Sequence, residues 1–249
     1  MCPMKNLIII PAYNEEAALP QTIAGLQTLP ADFEILIVND GSLDGTGKVA
    51  KDLAAASRLK LTVINLPLNS GIGVAMQTGY RFAAKAGVFA YVIQFDADGQ
   101  HDAASLPELV RECESRGLDL CIGTRFLAAR GESFRSTFPR RIGIRFFSRL
   151  ISLLSGLRVT DPTSGFRCAG ERAWRWFAER YPEDYPEPES LFWCARNRLN
   201  IGEIPVRMQA RQGGVSSIRA WKPVYYMLKV SMAILVDRLR AKERMEHER

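Results

Sequence analysis

Tyr91-Val92-Ile93-Gln94-Phe95-Asp96-Ala97-Asp98-Gly99-Gln100-His101 runs from a short apolar segment straight into a turn bearing two carboxylates. The apolar part is too brief for a helix and does not alternate, the pattern of a strand buried on both faces of a parallel sheet. Residues 6–10 (NLIII), 34–39 (EILIVN), 60–65 (KLTVIN) and 118–123 (LDLCIG) read the same way. Helix-forming stretches separate them, over residues 15–29, 44–58, onward from Gly71, and 105–116. Strands and helices in alternation predict an α/β, Rossmann-like fold, a mostly parallel sheet with helices on both faces.

Ligands of such sheets bind beyond the carboxyl ends of the strands, so the segments that follow each strand are the candidates for function. They are Pro11-Ala12-Tyr13-Asn14-Glu15-Glu16, Asp40-Gly41-Ser42-Leu43-Asp44-Gly45-Thr46, Asn69-Ser70-Gly71-Ile72-Gly73, the Asp96–His101 turn, and Thr124-Arg125-Phe126. Polar residues and glycines gather on one sheet edge. In extended chain, residues two apart point the same way, so Asp96 and Asp98 can approach one cation. Mg²⁺ and Mn²⁺ favour such oxygen donors together with phosphate. The other reading of Asp98-Gly99 is a plain turn. The Asp40–Thr46 segment has two readings as well: a turn and helix cap, which suits Asp44 and Thr46, or ligand binding, for which Asp40 at the strand end is placed to accept from a base or ribose.

Composition limits the alternatives. At 249 residues, 47% hydrophobic and 24% charged, the chain is ordinary globular protein, long enough for one large domain. Five scattered cysteines, no CxxC and two histidines argue against a zinc site or a disulfide framework, and for a reducing cytoplasm. Residues 7–10 are too short for the apolar core of a signal peptide, and no run reaches the roughly 18 apolar residues that span a bilayer. A soluble or peripheral protein is expected. The whole net charge of +6 equals the excess between Arg130 and Arg158, where seven arginines face only Glu132.

The second half is less regular. A helix is predicted over residues 140–157, then a loop Asp161-Pro162-Thr163-Ser164-Gly165-Phe166-Arg167, and an acidic, proline-rich segment over 181–189. Another helix, a strand over 201–211, a polar loop and a last helix over 221–240 follow.

Taken together, the post-strand segments resemble the family 2 inverting glycosyltransferases of GT-A fold. DPTSGFR at 161–167 and RQGGVSS at 211–217 look like the branch of that family that makes dolichyl- or polyprenyl-phosphate sugars. The resemblance implies a division into a GT-A domain over 1–220 and a C-terminal helix over 221–249 that is membrane- or partner-associated. It implies that Pro11, Tyr13, Glu15, Asp40 and Gly71 hold the nucleotide sugar, with Asp96 and Arg211 on its diphosphate. Asp96 and Asp98 would bind the divalent metal, Mg²⁺ or Mn²⁺. Ser164, Arg167 and Arg125 would position an acceptor phosphate, for which the arginine fork is suited. Asp98, Arg125 and Glu189 are the catalytic candidates; Asp184, Glu187 and Glu189 form an acidic group that could supply a base, with Glu189 preferred, and the same segment also reads as a solvated loop, above all at Asp184.

The expected reaction is hexosyl transfer from a UDP- or GDP-linked sugar to a polyprenyl (undecaprenyl or dolichyl) phosphate. The alternative is transfer to a lipid-linked or growing glycan in cell-surface polysaccharide assembly. An acceptor hydroxyl needs a general base, whereas a phosphate is already anionic. Arg141, Arg145 and Arg149 flank an apolar stripe on the 140–157 helix, which fits either a membrane interface or the protein's own core. Trp221, Tyr225, Tyr226, Leu228 and Met232 make the last helix a second amphipathic candidate. A peripheral place on the cytoplasmic membrane face is expected, with a small transmembrane partner. A nucleotidyltransferase would have a glycine-rich basic loop after the first strand, which Pro11–Glu16 is not. A nucleic-acid binder would mix exposed aromatics into its basic stripe, so no nucleic-acid partner is expected. A non-catalytic sugar-nucleotide binder would leave both aspartates and the arginines without a chemical role.

Overall fold

The computed structural model of the chain describes residues 4–127, 138–206 and 222–239. Among the described residues, seven strands form one sheet: β1 (Lys5–Ala12), β2 (Phe33–Asp40), β3 (Leu61–Leu66), β4 (Phe89–Gln94), β5 (Leu120–Thr124), β6 (Arg167–Gly170) and β7 (Ile201–Pro205). Their order is β3-β2-β1-β4-β6-β5-β7. Every neighbouring pair is parallel except the two made by β6, which runs antiparallel to both β4 and β5. The helices are α1 (Leu19–Leu26), α2 (Thr46–Ala56), α3 (Ile72–Ala86), α4 (Leu106–Ser115), α5 (Phe138–Ser155), α6 (Glu171–Glu179), α7 (Pro186–Arg196) and α8 (Lys222–Leu239).

The non-alternating strands are explained by two cores, one on each sheet face. Successive side chains of a strand point to opposite faces. Ile8 and Ile10 of β1 therefore pack with Leu19, Ile23, Leu106 and Leu109 from α1 and α4. Leu7 and Ile9 pack with Tyr80, Trp174 and Phe177 from α3 and α6. The second contact is close: a Cβ at Gly79 of α3 would stand 2.5 Å from Ile9 Cδ1. With no polar face needed on the central strands, all eight residues of β2 are buried.

Two elements depart from expectation. The segment read as a loop ending at Arg167 leads directly into β6, a four-residue strand, and then into α6. The acidic segment is also not all loop, because α7 starts at Pro186, and proline suits a first helical turn. Helix α1 begins later than expected, since Asn14 takes a φ of 55° and residues 15–18 turn before Leu19.

The reversal of β6 positions the site. Arg167, its first residue, pairs with Gln94, the last residue of β4, and with Ile122 in the middle of β5. The DPTSGFR loop thus arrives at the same sheet edge as the Asp96–His101 turn. Helices α5 and α8 complete the core beside it: Ile144, Phe147 and Ile151 of α5 and Val230 and Ile234 of α8 are buried, and the Phe147 and Tyr226 rings meet at 5.1 Å. The outer side of α8 is apolar too, with Tyr225, Leu228, Met232 and Leu239 exposed. Phe147→Ala should remove about 3–5 kcal/mol of stability, read as a lower urea midpoint at unchanged m-value.

Candidate active site

The first two post-strand loops are tied to each other. Asn14 donates its backbone N–H to Ser42 Oγ (3.0 Å) and accepts from the Leu43 N–H through Oδ1 (2.9 Å). The Glu15 N–H donates to Thr46 Oγ1 (2.8 Å), and Glu16 Oε2 accepts from the Gly45 N–H (2.9 Å). Pro11 and Glu15 are half-buried and Tyr13 is 40% exposed on this rim. Asp40, expected to read a base or ribose, is buried, and its two oxygens accept the Ser70 and Gly71 N–H groups at 2.8 and 2.9 Å. It fixes the entry to α3, where Gly71 has a φ of 91° that only glycine adopts readily.

After β4 the chain turns through Gly99 at φ 72°, and Asp98 Oδ1 accepts the Gln100 N–H at 3.0 Å. His101 closes the turn. Its Nδ1 accepts the Asp96 N–H (3.1 Å), and its Nε2 lies 3.4 Å from Asp96 Oδ2. The ring is stacked on Phe166 at 4.7 Å and meets Phe95 edge-on at 5.3 Å. Burial first, and the Arg125 charge with it, push its pKa down to about 4 against the pull of Asp98. The imidazole is therefore neutral at pH 7, and an accepting Nδ1 leaves the proton on Nε2, facing the Asp96 carboxylate. Asp96 and Asp98 offer hard oxygen donors at the sheet edge. Among the described residues no cluster of three or more His, Cys, Asp or Glu forms a full metal cage. Two carboxylates suit a small cation that completes its shell with water and substrate phosphate, as Mg²⁺ does.

The loop before β6 closes over this turn. A Cβ at Gly165 would come within 3.2 Å of Asp96 Oδ2 and 2.8 Å of Gln94 Nε2, so the backbone lies directly on both side chains. Ser164 is buried, its Oγ donating to the Gly123 carbonyl at 2.6 Å. Arg167 is 4% exposed; it donates to the carbonyls of Ser164 (2.7 Å), Pro162 (2.8 Å) and Glu187 (2.8 Å), and to Ser190 Oγ (3.1 Å). Arg125 is paired with Asp161 at 2.7 Å, both side chains at most 3% exposed. These three polar groups, expected on an acceptor phosphate, are joined to the protein's own loops here. Arg211 lies outside the described residues.

Glu187 belongs to the acidic group read from sequence as a possible base, although Glu189 is the member preferred there. Glu187 reaches β4, where Gln94 Nε2 donates to its Oε1 at 3.4 Å. Burial raises its pKa, as does the Asp96 charge, against the opposing Arg167. Glu189, half-buried on the same helix, is two residues on, and positions i and i+2 of a helix do not share a face. The acidic segment signals a carboxylate, but only the helix phase separates the two. His101 had a weaker signal, as one of two histidines in the chain, five residues after Asp96. Asp161→Ala should leave the buried Arg125 uncompensated and cost about 3–5 kcal/mol, measured by chemical denaturation.

The sequence profile described as glycosyl transferase family 2 matches residues 7–175. The UDP-N-acetylglucosamine–dolichyl-phosphate N-acetylglucosaminyltransferase of Methanococcus voltae is 29% identical over 247 residues, 92% of this chain and 97% of its own. The undecaprenyl-phosphate mannosyltransferase of Micrococcus luteus is 34% identical over 218 residues, covering 86% of this chain and 88% of its own. Among solved structures, glucosyl-3-phosphoglycerate synthase from Mycobacterium tuberculosis, in complex with Mn²⁺ and UDP-glucose, has the same fold. Its TM-score is 0.64 at 20% identity, covering 94% of this chain and 79% of that one. With most of its length matched, the chain belongs to the family 2 glycosyl transferases, with relatives in their polyprenyl-phosphate sugar branch.

Proposed function

We propose that this glycosyltransferase moves a hexosyl unit, with inversion, from a UDP- or GDP-linked sugar to a polyprenyl phosphate on the cytoplasmic face of a membrane. The observation that supports this best is the seating of Gly165 on Asp96, which joins the loop expected to serve the acceptor to the carboxylate expected to serve the donor. Relatives named for dolichyl and undecaprenyl phosphate support the same acceptor class. In this reading residues 1–220 are the catalytic unit, and 221–249 attach it to a membrane or to a small transmembrane partner.

Pro11, Tyr13, Glu15 and Gly71 line the nucleotide end. Asp40 acts one step back by holding the Ser70–Gly71 turn in place. Asp96 and Asp98 would hold Mg²⁺ or Mn²⁺, which when bound supplies positive charge to the departing nucleoside diphosphate. His101, neutral and locked between two phenylalanines, orients the Asp96 carboxylate. Arg125 supplies positive charge beside the reacting edge, with Asp161 fixing its direction. Ser164 and Arg167 shape the acceptor loop from inside. The acceptor phosphate attacks as an anion and needs orientation in place of deprotonation.

A second reading, a hydroxyl acceptor on a lipid-linked glycan, is favoured by one observation: the raised proton affinity of Glu187 beside Asp96. A base of that kind belongs to hydroxyl chemistry. Glu187→Gln separates the two. With polyprenyl phosphate as acceptor the variant should keep its transfer rate within about tenfold, whereas loss of a base for a hydroxyl costs on the order of 10²–10⁴. The pH profile adds a sign: a required Glu187 base works only when ionised, so its raised pKa would move the acid limb of the rate to higher pH.

The primary test offers UDP- and GDP-sugars with Mg²⁺ or Mn²⁺, with and without undecaprenyl phosphate, and follows nucleotide release. Lipid-dependent release that disappears in Asp98→Ala is the expected result. Release driven by a glycan acceptor alone would establish the second reading, and no binding of any sugar nucleotide would end both.

A further inference from the structure

Glu203 is the polar member of the edge strand β7, Ile201-Gly202-Glu203-Ile204-Pro205. Gly202 and Ile204 are buried on one face of the sheet, and Glu203, half-buried, turns to the other. There both of its carboxylate oxygens accept the Thr160 N–H, each at 2.9 Å. Oε1 also accepts the Asp161 N–H at 3.0 Å and the Thr160 hydroxyl at 3.1 Å. One carboxylate thus gathers three donors from two consecutive residues of the loop that leads into β6. The loop's approach from α5 is fixed separately, by Ser148 Oγ donating to the Val159 carbonyl.

Two lines run from those donors to Arg125. The first passes through a side chain. Asp161, buried, accepts Arg125 Nε and one Nη through Oδ2, each at 2.7 Å, and its Oδ1 accepts Thr163 Oγ1 at 3.0 Å. The second passes through hydroxyls, and its direction follows from the protons available. A carboxylate only accepts, so the single hydroxyl proton of Thr160 points at Glu203. At the 2.8 Å contact between Thr160 Oγ1 and Thr124 Oγ1, Thr124 is then the donor. Thr124 Oγ1 in turn accepts the Phe126 N–H at 3.2 Å. The guanidinium of Arg125 and the residues on both sides of it therefore refer back to one carboxylate.

We propose that Glu203 is a positioning residue for sugar transfer: by holding Thr160 and Asp161 it sets the direction of the Arg125 guanidinium at the reacting edge. This rests on the transfer reaction above, in which Arg125 supplies positive charge there. An arginine fork matches phosphate oxygens only when its plane faces them. A misplacement of about 1 Å, transmitted from outside the site, can cost on the order of 10²-fold in rate. Without the Glu203 carboxylate the Thr160 and Asp161 amides turn to water, and Asp161 loses the backbone anchor from which it reaches Arg125.

The test compares Glu203→Ala, Glu203→Gln and Thr160→Val with the wild type, each as the full chain, in three measurements. Nucleotide release with polyprenyl phosphate reports transfer, and titration with a UDP- or GDP-sugar and Mn²⁺ reports the donor site. The Arg125 Nε–H resonance, assigned by its loss in Arg125→Lys, reports the guanidinium. Glu203→Ala should lower the acceptor-dependent kcat/KM about 30-fold or more. It should also shift the Arg125 resonance toward that of a solvated arginine and leave donor affinity within about threefold. Glu203→Gln keeps an oxygen for all three donors at the Oε1 position and should recover most of the rate and the resonance. Thr160→Val cuts the hydroxyl line alone and should give an intermediate loss, which keeps the comparison decisive where Glu203→Ala does not fold. An Arg125 resonance unmoved in the folded variants overturns the proposal. So does a loss of donor affinity equal to the loss of transfer, which is the mark of a purely structural tie. A wild type whose nucleotide release ignores polyprenyl phosphate would remove the transfer reading, and the Arg125 resonance would still decide the part assigned to Glu203.

Discussion

One reversed strand governs the arrangement of the rest. In a parallel sheet the segment leading into a strand lies at the edge away from the ligand, and only the segment leaving it is near. Strand β6 runs against its neighbours, so the residues that precede it, Asp161 to Phe166, reach the edge where β4 and β5 end. Arg167 secures the reversal. From the first position of β6 it holds two carbonyls of its own loop and, through Glu187 and Ser190, the start of α7. Gly165 on Asp96, Glu187 against Gln94 and Arg125 on Asp161 all depend on that placement.

The division of labour between buried and half-exposed charge follows from it. Asp40, Arg125, Asp161 and Arg167 are all buried, and each is bonded to a partner within the protein. A buried charge is tolerated only on those terms. Asp96 keeps a third of its side chain accessible, and Tyr13 is open on the rim. The edge therefore has a fixed frame of internal pairs and a smaller set of groups turned toward incoming substrate.

The sequence made the parallel half legible because a buried strand declares itself by composition: β1, β2, β3, β4 and β5 were all expected within a few residues of where they lie. The post-strand segments were legible for the same reason, since sheet topology decides which end of a strand matters. What could not be read was pairing at a distance. Strand β6 is four residues long, Arg-Cys-Ala-Gly, with no apolar run to mark it. Asp40 looks the same in sequence whether its oxygens meet a ribose or the Ser70 and Gly71 amides. Choosing Glu187 or Glu189 needs the phase of α7, and the neutrality of His101 needs Phe95 and Phe166 around it.

The position of β6 also bears on how the chain is made. Strands β1 to β4 lie within the first part of the polypeptide and can pair as they emerge from the ribosome. The open edge of β4 then waits, unpaired, until residues 167–170 have been synthesised and folded back into it. An unpaired strand edge is a template for wrong partners. Biogenesis is thus most exposed to misassociation in the interval between β4 and β6, and a nascent chain stalled there presents a hydrophobic half-sheet in place of an enzyme.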